Sequence, residues 1–349
     1  MTKGENLLDY DRIAVLIPAY KPDERLITLV DALREAGFTR LVAVDDGGGA
    51  PYRHIFDALE GKAEVLVHEV NRGKGAALKT GLEYIRRWEG VGVVTADCDG
   101  QHAPADVCRI ADALLEQPDA LILGSRDKRQ MPPRSKAGNT LTCGVFALLT
   151  GLRISDTQTG LRGLPACALE RFAHLEGDRY EYEINMLIEA SRIPLKVREV
   201  TIETIYIDNN SSSHFNALRD GLRIYRLMFR QAGKFLLSAV ACTVLEYLCY
   251  TLLVYPLPVH LNGWLAQLIV RAISSPVNYY LNSKMVFERK PAGRTFVAYC
   301  LLVVAVMVAS SAGIGLLQLI GLPPVLSKLI VDCVLFFVNY RVQRNIIFK

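Results

Sequence analysis

Asp97 and Asp99, separated by a single cysteine, close an apolar run and are the strongest candidates for chemistry in this chain. Alternate side chains of an extended chain lie on the same side, so both carboxylates face one way. Hard oxygen ligands of this kind suit Mg²⁺ or Mn²⁺ beside a phosphate group. Because turns are rich in aspartate, the pair alone is a weak signal. It indicates a metal site only if neighbouring elements bring other polar groups to it.

Three further polar clusters follow short apolar runs. Runs at 13–20, 41–46, 63–70, 91–100 and 120–126 alternate with helical patterns, which predicts a parallel sheet with crossover helices. Ligands bind beyond the carboxyl ends of the strands in such sheets. The clusters that fall at this edge are Pro18-Ala19-Tyr20, Asp45-Asp46 and Ser125-Arg126, besides Asp97, Asp99, Gln101 and His102. We therefore predict one polar site at the edge of an α/β domain.

The composition divides the chain into two parts. The whole sequence of 349 residues is 51% hydrophobic, which excludes a disordered protein. Residues 233–349 hold ten basic and three acidic residues, whereas residues 1–232 hold 30 basic and 33 acidic ones. The first part has the composition of a soluble domain, and the second is apolar and cationic. Since the basic residues of the second part flank apolar segments, they do not form a nucleic-acid-binding patch.

Residues 214–232 are predicted to form an amphipathic helix. Apolar residues recur at helical spacing from Phe215 to Phe229, and arginines 219, 223, 226 and 230 occupy an adjoining stripe. Such a helix suits a membrane interface, with its arginines at lipid phosphates. An ordinary surface helix packed on the sheet would show the same pattern.

Four apolar segments follow, at about 235–256, 263–283, 295–320 and 324–345. Each is long enough to cross a hydrocarbon core of about 30 Å. Basic residues cluster before the first segment, between the second and third, and after the fourth, whereas the other two connections carry none. The positive-inside rule then predicts a multi-pass protein of the cell (inner) membrane with both termini in the cytoplasm.

Two absences agree with that orientation. Residues 1–12 are polar and carry both signs of charge, so no cleavable signal peptide is expected before the first domain, residues 1–213. The eight cysteines are scattered without a CxxC pair, which predicts neither a disulfide framework nor a zinc site.

The membrane part, residues 233–349, contains an internal repeat. Residues 278–287 match residues 339–348, which predicts two copies of a helical hairpin. In this register Arg271 lies opposite Asp332, and Glu246 falls at a similar depth. We expect these three to form a buried ionic cluster, which either fixes the helix packing or serves a lipid phosphate or transport.

Six segments of the first part resemble family 2 glycosyltransferases of the dolichol-phosphate mannose or polyprenyl-phosphate glucose synthase type. They are PAY (18–20), VDDG (44–47), NRGKGAALKTG (71–81), ADCDGQH (96–102), GSR (124–126) and DTQTGLRG (156–163). The resemblance covers about residues 12–230 and implies a mainly parallel-sheet GT-A fold. Residues 233–349 resemble the GtrA-like membrane family, associated with polyprenol-linked sugars, in hydropathy and in the NYYLNSKMVF-type ends. An all-α four-helix transmembrane domain is the implied second fold.

The resemblance implies a nucleotide-sugar site at the sheet edge. The residues implied to bind the donor are Pro18, Ala19, Tyr20, Asp46, Lys74, Asp97, Cys98 and Asp99. Of these, Asp97 and Asp99, together with Gln101, would bind Mg²⁺ or Mn²⁺, which neutralises the departing nucleoside diphosphate. For Lys74 a second interpretation remains open, namely a solvated lysine at a helix start.

The implied acceptor is a polyprenyl phosphate. Its second pKa lies near about 6, so it is largely an anion at neutral pH and needs cations rather than a strong base. Arg126 and Arg134 are the candidate cations, with Ser135 as a hydroxyl donor, unless the arginines form loop salt bridges. Asp156 would orient the acceptor or metal, or act as a base toward a hydroxyl acceptor. Residues 141–152 would either enter the membrane interface or form a core helix.

The function that these features predict is inverting transfer of a hexose, mannose or glucose, from a nucleoside-diphosphate sugar to polyprenyl or dolichyl phosphate at the cytoplasmic membrane face. The alternative is a transporter or flippase of polyprenyl-linked sugar, in which the membrane domain carries the main activity. A processive polysaccharide synthase is disfavoured, because no QxxRW segment follows the soluble domain. No feature of the sequence indicates an oligomeric state.

Overall fold

A computed structural model describes residues 10–127, 129–203, 205, 219–254 and 263–348. The chain divides into two compact units. One consists of Met1–Ala147 and Leu152–Tyr225, and the other of Leu148–Gly151 and Arg226–Lys349. Residues 214–218 of the predicted interfacial helix lie outside the described residues.

The first unit contains a seven-stranded sheet in the order β3-β2-β1-β4-β6-β5-β7. The strands are β1 (Ile13–Ala19), β2 (Arg40–Asp45), β3 (Glu64–Val67), β4 (Gly92–Thr95), β5 (Ala120–Arg126), β6 (Arg162–Leu164) and β7 (Lys196–Ile202). All neighbours pair in parallel except β6, which is antiparallel to β4 and β5. The prediction of a mainly parallel sheet is confirmed. Sequence reasoning missed β6, which has only three residues, and β7, whose apolar residues alternate with charged ones.

Helices surround this sheet and supply the rest of its core. They are α1 (Glu24–Glu35), α2 (Arg53–Asp57), α3 (Lys74–Ile85), α4 (Pro104–Glu116), α5 (Pro133–Thr150), α6 (Leu169–Ala173) and α7 (Glu181–Ala190). Helix α1 begins where the Asp23 carboxylate accepts a hydrogen bond from the Arg25 N–H. This is the usual way in which an aspartate starts a helix. Leu26, Val30 and Leu33 of α1 are buried in the core.

The strand register brings the predicted clusters to one edge. Every residue of β1 is buried, as expected of a central strand covered on both faces. Ala19 lies opposite Asp45 of β2, and Leu16 lies opposite Thr95 of β4. The residues that follow these three strands therefore meet at the same level.

The second unit is formed by long, mostly apolar helices, the first of which begins in the first unit, to which residues up to Tyr225 belong. They are α8 (Arg219–Val254), α9 (Gly263–Leu281), α10 (Gly293–Leu319) and α11 (Pro324–Val342). Each of the four predicted apolar segments overlaps one of them. Helix α8 runs without a break from Arg219, within the predicted amphipathic helix, into the first apolar segment. The reason is that this stretch contains no proline.

Two helical stretches of the described chain are long and apolar enough to cross a membrane. They are Ala232–Cys249, with a mean hydropathy of 1.5, and Gly293–Leu319, with a mean hydropathy of 2.4. Helices α9 and α11 carry more polar residues, among them Arg271 and Asp332. By this measure two of the four predicted spans are found.

The predicted repeat is visible in the second unit. Both α9 and α11 end in a π-helical turn, Asn282–Val286 and Gln343–Ile347. The buried Asn282 side chain donates to the Oε1 atom of Gln343, its counterpart in the repeat, at 3.1 Å. The rings of another equivalent pair, Phe287 and Phe348, stack with their centroids 4.9 Å apart. Contacts between equivalent residues are expected of two copies related by an approximate two-fold axis.

The predicted ionic cluster of the second unit is described only in part. Glu246 of α8 accepts a hydrogen bond of 2.6 Å from the Ser274 hydroxyl of α9. Asp332 of α11 lies 3.5 Å from the Ser310 hydroxyl of α10. The side chain of Arg271 lies outside the described residues. The cluster therefore stays a prediction.

Candidate functional site

A cavity of about 390 Å³ opens at the carboxyl ends of β1, β2, β4 and β5. The predicted residues that line it are Pro18, Ala19, Tyr20, Asp46, Lys74, Asp97, Cys98, Asp99, Gln101 and Arg126. Strand register accounts for this convergence, since these residues end or follow neighbouring strands or begin the helix after β3. The first turns of α8 contribute Asp220 and Ile224 to the same cavity.

Lys74 joins two carboxylates of this cavity. Its Nζ atom lies 2.7 Å from Oδ1 of Asp97 and 3.0 Å from Oε1 of Glu183. Burial disfavours the ammonium ion, but the charges of Asp97 and Glu183 outweigh that cost and raise the pKa of Lys74. The interpretation of Lys74 as a solvated residue at a helix start is therefore wrong, because its side chain is only 18% exposed and is doubly paired.

The second aspartate has a different environment. Oδ1 of Asp99 accepts a hydrogen bond from the Gln101 N–H at 3.0 Å. Burial and the nearby negative charge of Asp97 raise the pKa of Asp99. For Asp97, burial opposes ionisation, but the ammonium of Lys74 lowers the pKa. A cation bound beside Asp99 would offset the negative charge of Asp97 and would therefore stabilise the ionised form of Asp99.

These residues fit a divalent metal. Asp97, Asp99 and Gln101 provide hard oxygen donors on one side of the cavity. Within the described residues no group of three or more His, Cys, Asp or Glu side chains could hold a metal alone. A Mg²⁺ or Mn²⁺ ion bound by two carboxylates normally takes its remaining ligands from water and substrate phosphates. The donor set therefore suits a metal that binds together with a diphosphate.

Two other groups of the cavity are neutral at physiological pH. Burial, reinforced by the charges of Asp97 and Asp99, raises the pKa of the Cys98 thiol to about 12. Burial likewise raises the pKa of Tyr180 to about 12. Neither residue supplies a nucleophile or base in these surroundings.

Asp46 is occupied by main-chain contacts. Its carboxylate accepts hydrogen bonds from the N–H groups of Arg72 and Gly73, at 2.9 and 2.7 Å, and from the Asn71 side chain at 2.9 Å. The His68 ring lies 2.8 Å away on the same carboxylate. The arrangement holds the turn that leads into α3 and so positions Lys74. The contact of Asp46 with the donor that the resemblance implies stays a prediction.

Arg126 is held by Asp156. The Nε and Nη2 atoms of Arg126 donate to the two carboxylate oxygens at 2.7 and 3.2 Å. Burial would raise the pKa of Asp156, but the hydrogen bonds and charge of Arg126 lower it. The Asp156 carboxylate is fully buried and also accepts from the Gln158 N–H, so it orients Arg126. This arrangement favours the orienting role over that of a base.

The other acceptor candidates lie in the first turn of α5. Arg134 belongs to this turn, but its side chain lies outside the described residues. Ser135 is half-buried beside it. Farther along α5, the exposed Leu141 and the buried Phe146 show that the helix has both an exposed and a core face.

Sequence reasoning missed Glu183 as a member of the site. It lies in α7 and is 6% exposed, and its backbone carbonyl accepts a hydrogen bond of 2.6 Å from Arg162. Arg162 also donates to the carbonyl of Thr159 at 3.0 Å. Glu183 stands among apolar residues of an ordinary helical pattern, which offers no signal for a buried carboxylate.

Two family descriptions match the chain. Residues 14–174 match "Glycosyl transferase family 2", and residues 234–348 match "GtrA/DPMS, transmembrane domain". Together these matches cover both parts that the composition distinguishes.

Characterised relatives align with the first part. A UDP-N-acetylglucosamine–dolichyl-phosphate N-acetylglucosaminyltransferase of Methanococcus voltae is 30% identical over 245 residues, which cover 64% of this chain and 98% of that protein. A polyprenol monophosphomannose synthase of Mycolicibacterium smegmatis is 30% identical over 208 residues, which cover 55% and 76%.

A solved structure shows the same fold. Glucosyl-3-phosphoglycerate synthase from Mycobacterium tuberculosis, crystallised with Mn²⁺, UDP-glucose and phosphoglyceric acid, matches with a TM-score of 0.50 at 19% identity. The match covers 67% of this chain and 86% of that chain. At this level of identity the similarity concerns the GT-A architecture.

Proposed function

The chain belongs to glycosyl transferase family 2 and carries a GtrA/DPMS transmembrane domain, and we propose that it transfers a sugar from a nucleoside-diphosphate sugar to a polyprenyl or dolichyl phosphate. The observation that carries the proposal is the cavity in which Asp97, Asp99 and Lys74 lie with Arg126. Relatives whose names specify dolichyl-phosphate or polyprenol acceptors support the lipid substrate.

The donor binds among Pro18, Ala19, Tyr20 and the two aspartates in this proposal. Asp97, Asp99 and Gln101 would hold Mg²⁺ or Mn²⁺, and a metal there would supply stabilisation of the negative charge on the departing diphosphate. Lys74 adds a positive charge beside Asp97. These groups lower the energy of charge that develops as the sugar leaves. Cys98 lines the same cavity as a neutral thiol.

The acceptor phosphate needs positioning more than deprotonation. Its second pKa is about 6, so it is mostly a dianion at neutral pH. Arg126, oriented by Asp156, offers a guanidinium to the phosphate, and Arg134 and Ser135 of α5 are proposed to complete its site. Direct attack of the phosphate oxygen on the anomeric carbon, opposite the leaving diphosphate, inverts the configuration.

We further propose that the sugar is a hexose, mannose or glucose, and that transfer takes place at the cytoplasmic membrane face. The basic residues that flank the apolar segments support this orientation. Flipping of the lipid-linked product by the membrane domain is the alternative. A flux assay in liposomes that contain premade lipid-linked sugar separates the two, since a transferase without transport activity leaves that sugar in its original leaflet.

The decisive test uses the purified full-length protein in detergent with a polyprenyl phosphate and a panel of labelled donors, UDP-glucose, GDP-mannose and UDP-N-acetylglucosamine. Asp99→Asn is expected to abolish transfer while the protein still inserts into the membrane, because the metal loses a carboxylate ligand. Asp119→Asn, in the exposed turn before β5, serves as the matched control and retains full activity. Undiminished transfer by Asp99→Asn, or in excess chelator, would contradict the metal's role.

A further inference from the structure

The Lys74 ammonium lies between two carboxylates, and a bound metal ion would use one of them. Its ammonium lies 2.7 Å from Asp97 and 3.0 Å from Glu183, and the Glu183 side chain is only 8% exposed. Asp97 is also a proposed metal ligand. One oxygen of a carboxylate that would bind a divalent ion, Oδ1 of Asp97, therefore already bears an internal cation.

The main chain holds Lys74 in this position. Asp46 binds the N–H groups of Arg72 and Gly73 just before it, and the Ala76 N–H donates to the Asp178 carbonyl just after it. Gly160 closes another side, because a Cβ atom there would lie 2.6 Å from Oδ2 of Asp97 and 2.8 Å from the Lys74 ammonium. The backbone on both sides of Lys74 is therefore fixed, and a change of partner requires movement of its side chain.

Lys74 and a bound divalent ion would both be stabilised by the negative charge of Asp97. Lys74 has three N–H donors, of which Asp97 and Glu183 accept two. Two like charges a few ångströms apart repel each other strongly in a partly buried site. A divalent ion bound at Asp97 and Asp99 would therefore compete with Lys74 unless further negative charge were supplied.

We propose that Lys74 is an internal cation that prevents tight metal binding at Asp97 until the nucleoside diphosphate arrives. This inference rests on the proposed function, which supplies the metal and the diphosphate. The diphosphate adds negative charge, so the ammonium moves from Asp97 toward the phosphates and the metal takes the freed carboxylate. Glu183 is the positioning residue that keeps the ammonium in the cavity before the donor binds.

The proposal predicts strong coupling between metal and nucleotide. By thermodynamic linkage, the factor by which the diphosphate tightens Mn²⁺ binding equals the factor by which Mn²⁺ tightens diphosphate binding. We expect this factor to be about tenfold or more in the wild-type protein, within the usual range for coupled sites.

Mn²⁺ binding to the full-length protein in detergent, followed by electron paramagnetic resonance with and without UDP or GDP, tests the inference independently of activity. The informative variant is Lys74→Met combined with Glu183→Gln, which leaves the net charge of the site unchanged. It is expected to bind Mn²⁺ about tenfold more tightly than the wild type without nucleotide, and to show a smaller nucleotide effect. Lys79→Met, on the same helix but paired with Asp178, is the matched control and leaves both quantities unchanged.

Three outcomes would overturn the inference. Wild-type Mn²⁺ affinity in the double variant would show that Lys74 does not compete for Asp97. Equal Mn²⁺ affinity of the wild-type protein with and without nucleotide would also contradict the inference. This measurement uses only the wild-type protein, so it does not depend on whether a variant folds. No Mn²⁺ binding in any protein, even with UDP or GDP, would contradict the metal site of the proposed function itself, which distinguishes the two failures.

Discussion

At the scale of single residues, the site is a set of charges that neutralise one another. Lys74 pairs with Asp97 and Glu183, and Arg126 pairs with Asp156. Such pairs are costly to bury unless their geometry is good, and breaking one leaves an uncompensated charge. Substitutions that remove one partner of a pair, or that place an atom too close to a pair, are therefore expected to lower the transfer rate or the stability strongly.

Gly160→Ala is expected to disrupt the pair of Asp97 and Lys74 directly. The added Cβ would lie 2.6 Å from an Asp97 oxygen, and the Gly160 backbone cannot retreat easily because its carbonyl accepts a hydrogen bond of 2.7 Å from Thr95. We expect the transfer rate to fall about tenfold or more, which corresponds to roughly 1.4 kcal/mol. Gly144→Ala, at an open position of α5, is the control and is expected to remain active. A fully active Gly160→Ala variant would contradict this arrangement.

Asp156→Asn tests the anchor of Arg126 through pH dependence. The folded-state pKa of Asp156 is lowered, so the pair's contribution to stability is present above the unfolded pKa of about 3.9 and is lost as pH falls through the lower folded pKa. We expect the variant to lose about 3 kcal/mol at neutral pH. Melting temperatures of both proteins in detergent, measured from pH 7 toward pH 3, should differ by a constant amount above about pH 5 and converge in acid. A difference that grows on acidification would contradict the pairing.

At the scale of elements, the second unit is a repeat whose helices pack through small residues. Helices α9 and α11 end in equivalent π-helical turns, and Asn282 and Gln343 of these turns bond to each other. Between α10 and α11, Gly313 allows close approach, since a Cβ there would lie 3.1 Å from the Val331 side chain. Small residues at such contacts are typical of helix pairs in membranes.

Gly313→Leu is therefore expected to destabilise the second unit. Overpacking of a close contact costs about 1–3 kcal/mol, which should lower the melting temperature in detergent by roughly 4 °C or more. Gly315→Leu, two residues away at a position that faces open space, should change the melting temperature little. Equal effects of both substitutions would show that α10 does not contact α11 at Gly313.

At the scale of the whole molecule, the division of charge is the main feature. Residues 1–232 carry 33 acidic and 30 basic residues, whereas residues 233–349 carry ten basic and three acidic ones. The basic residues favour the side of the membrane on which anionic headgroups and the proposed acceptor phosphate lie. An acidic soluble part with a cationic membrane part suits an enzyme that takes its donor from water and its acceptor from the lipid.

Reporter fusions test the proposed orientation. Alkaline phosphatase fused after Lys349 is expected to be inactive in a bacterial host, because both termini are proposed to lie in the cytoplasm, where its disulfides do not form. The same reporter fused after Leu322, in the connection that carries no basic residue, should be active. The reverse pattern would place the catalytic cavity on the outer face and contradict the proposal.

Local patterns along the chain were enough to predict the parallel sheet, the polar edge and the four apolar segments. Strand periodicity and the positions of the carboxylates predicted which residues would meet, and the cavity contains nine of them, all except Asp45 and Ser125. The six segments that resemble family 2 glycosyltransferases predicted the type of reaction, and this prediction did not depend on how the chain packs.

Only the tertiary structure decided which of these groups are engaged with one another. Glu183 lies 109 positions after Lys74 along the chain and joins it only when α7 packs beside α3. Asp46 turns out to hold the loop before Lys74, and Asp156 to hold Arg126. The equivalent π-helical turns also meet only after the two hairpins pack together. The physical reason is that ion pairs and close packing depend on distances in space, which the local pattern of a sequence does not contain.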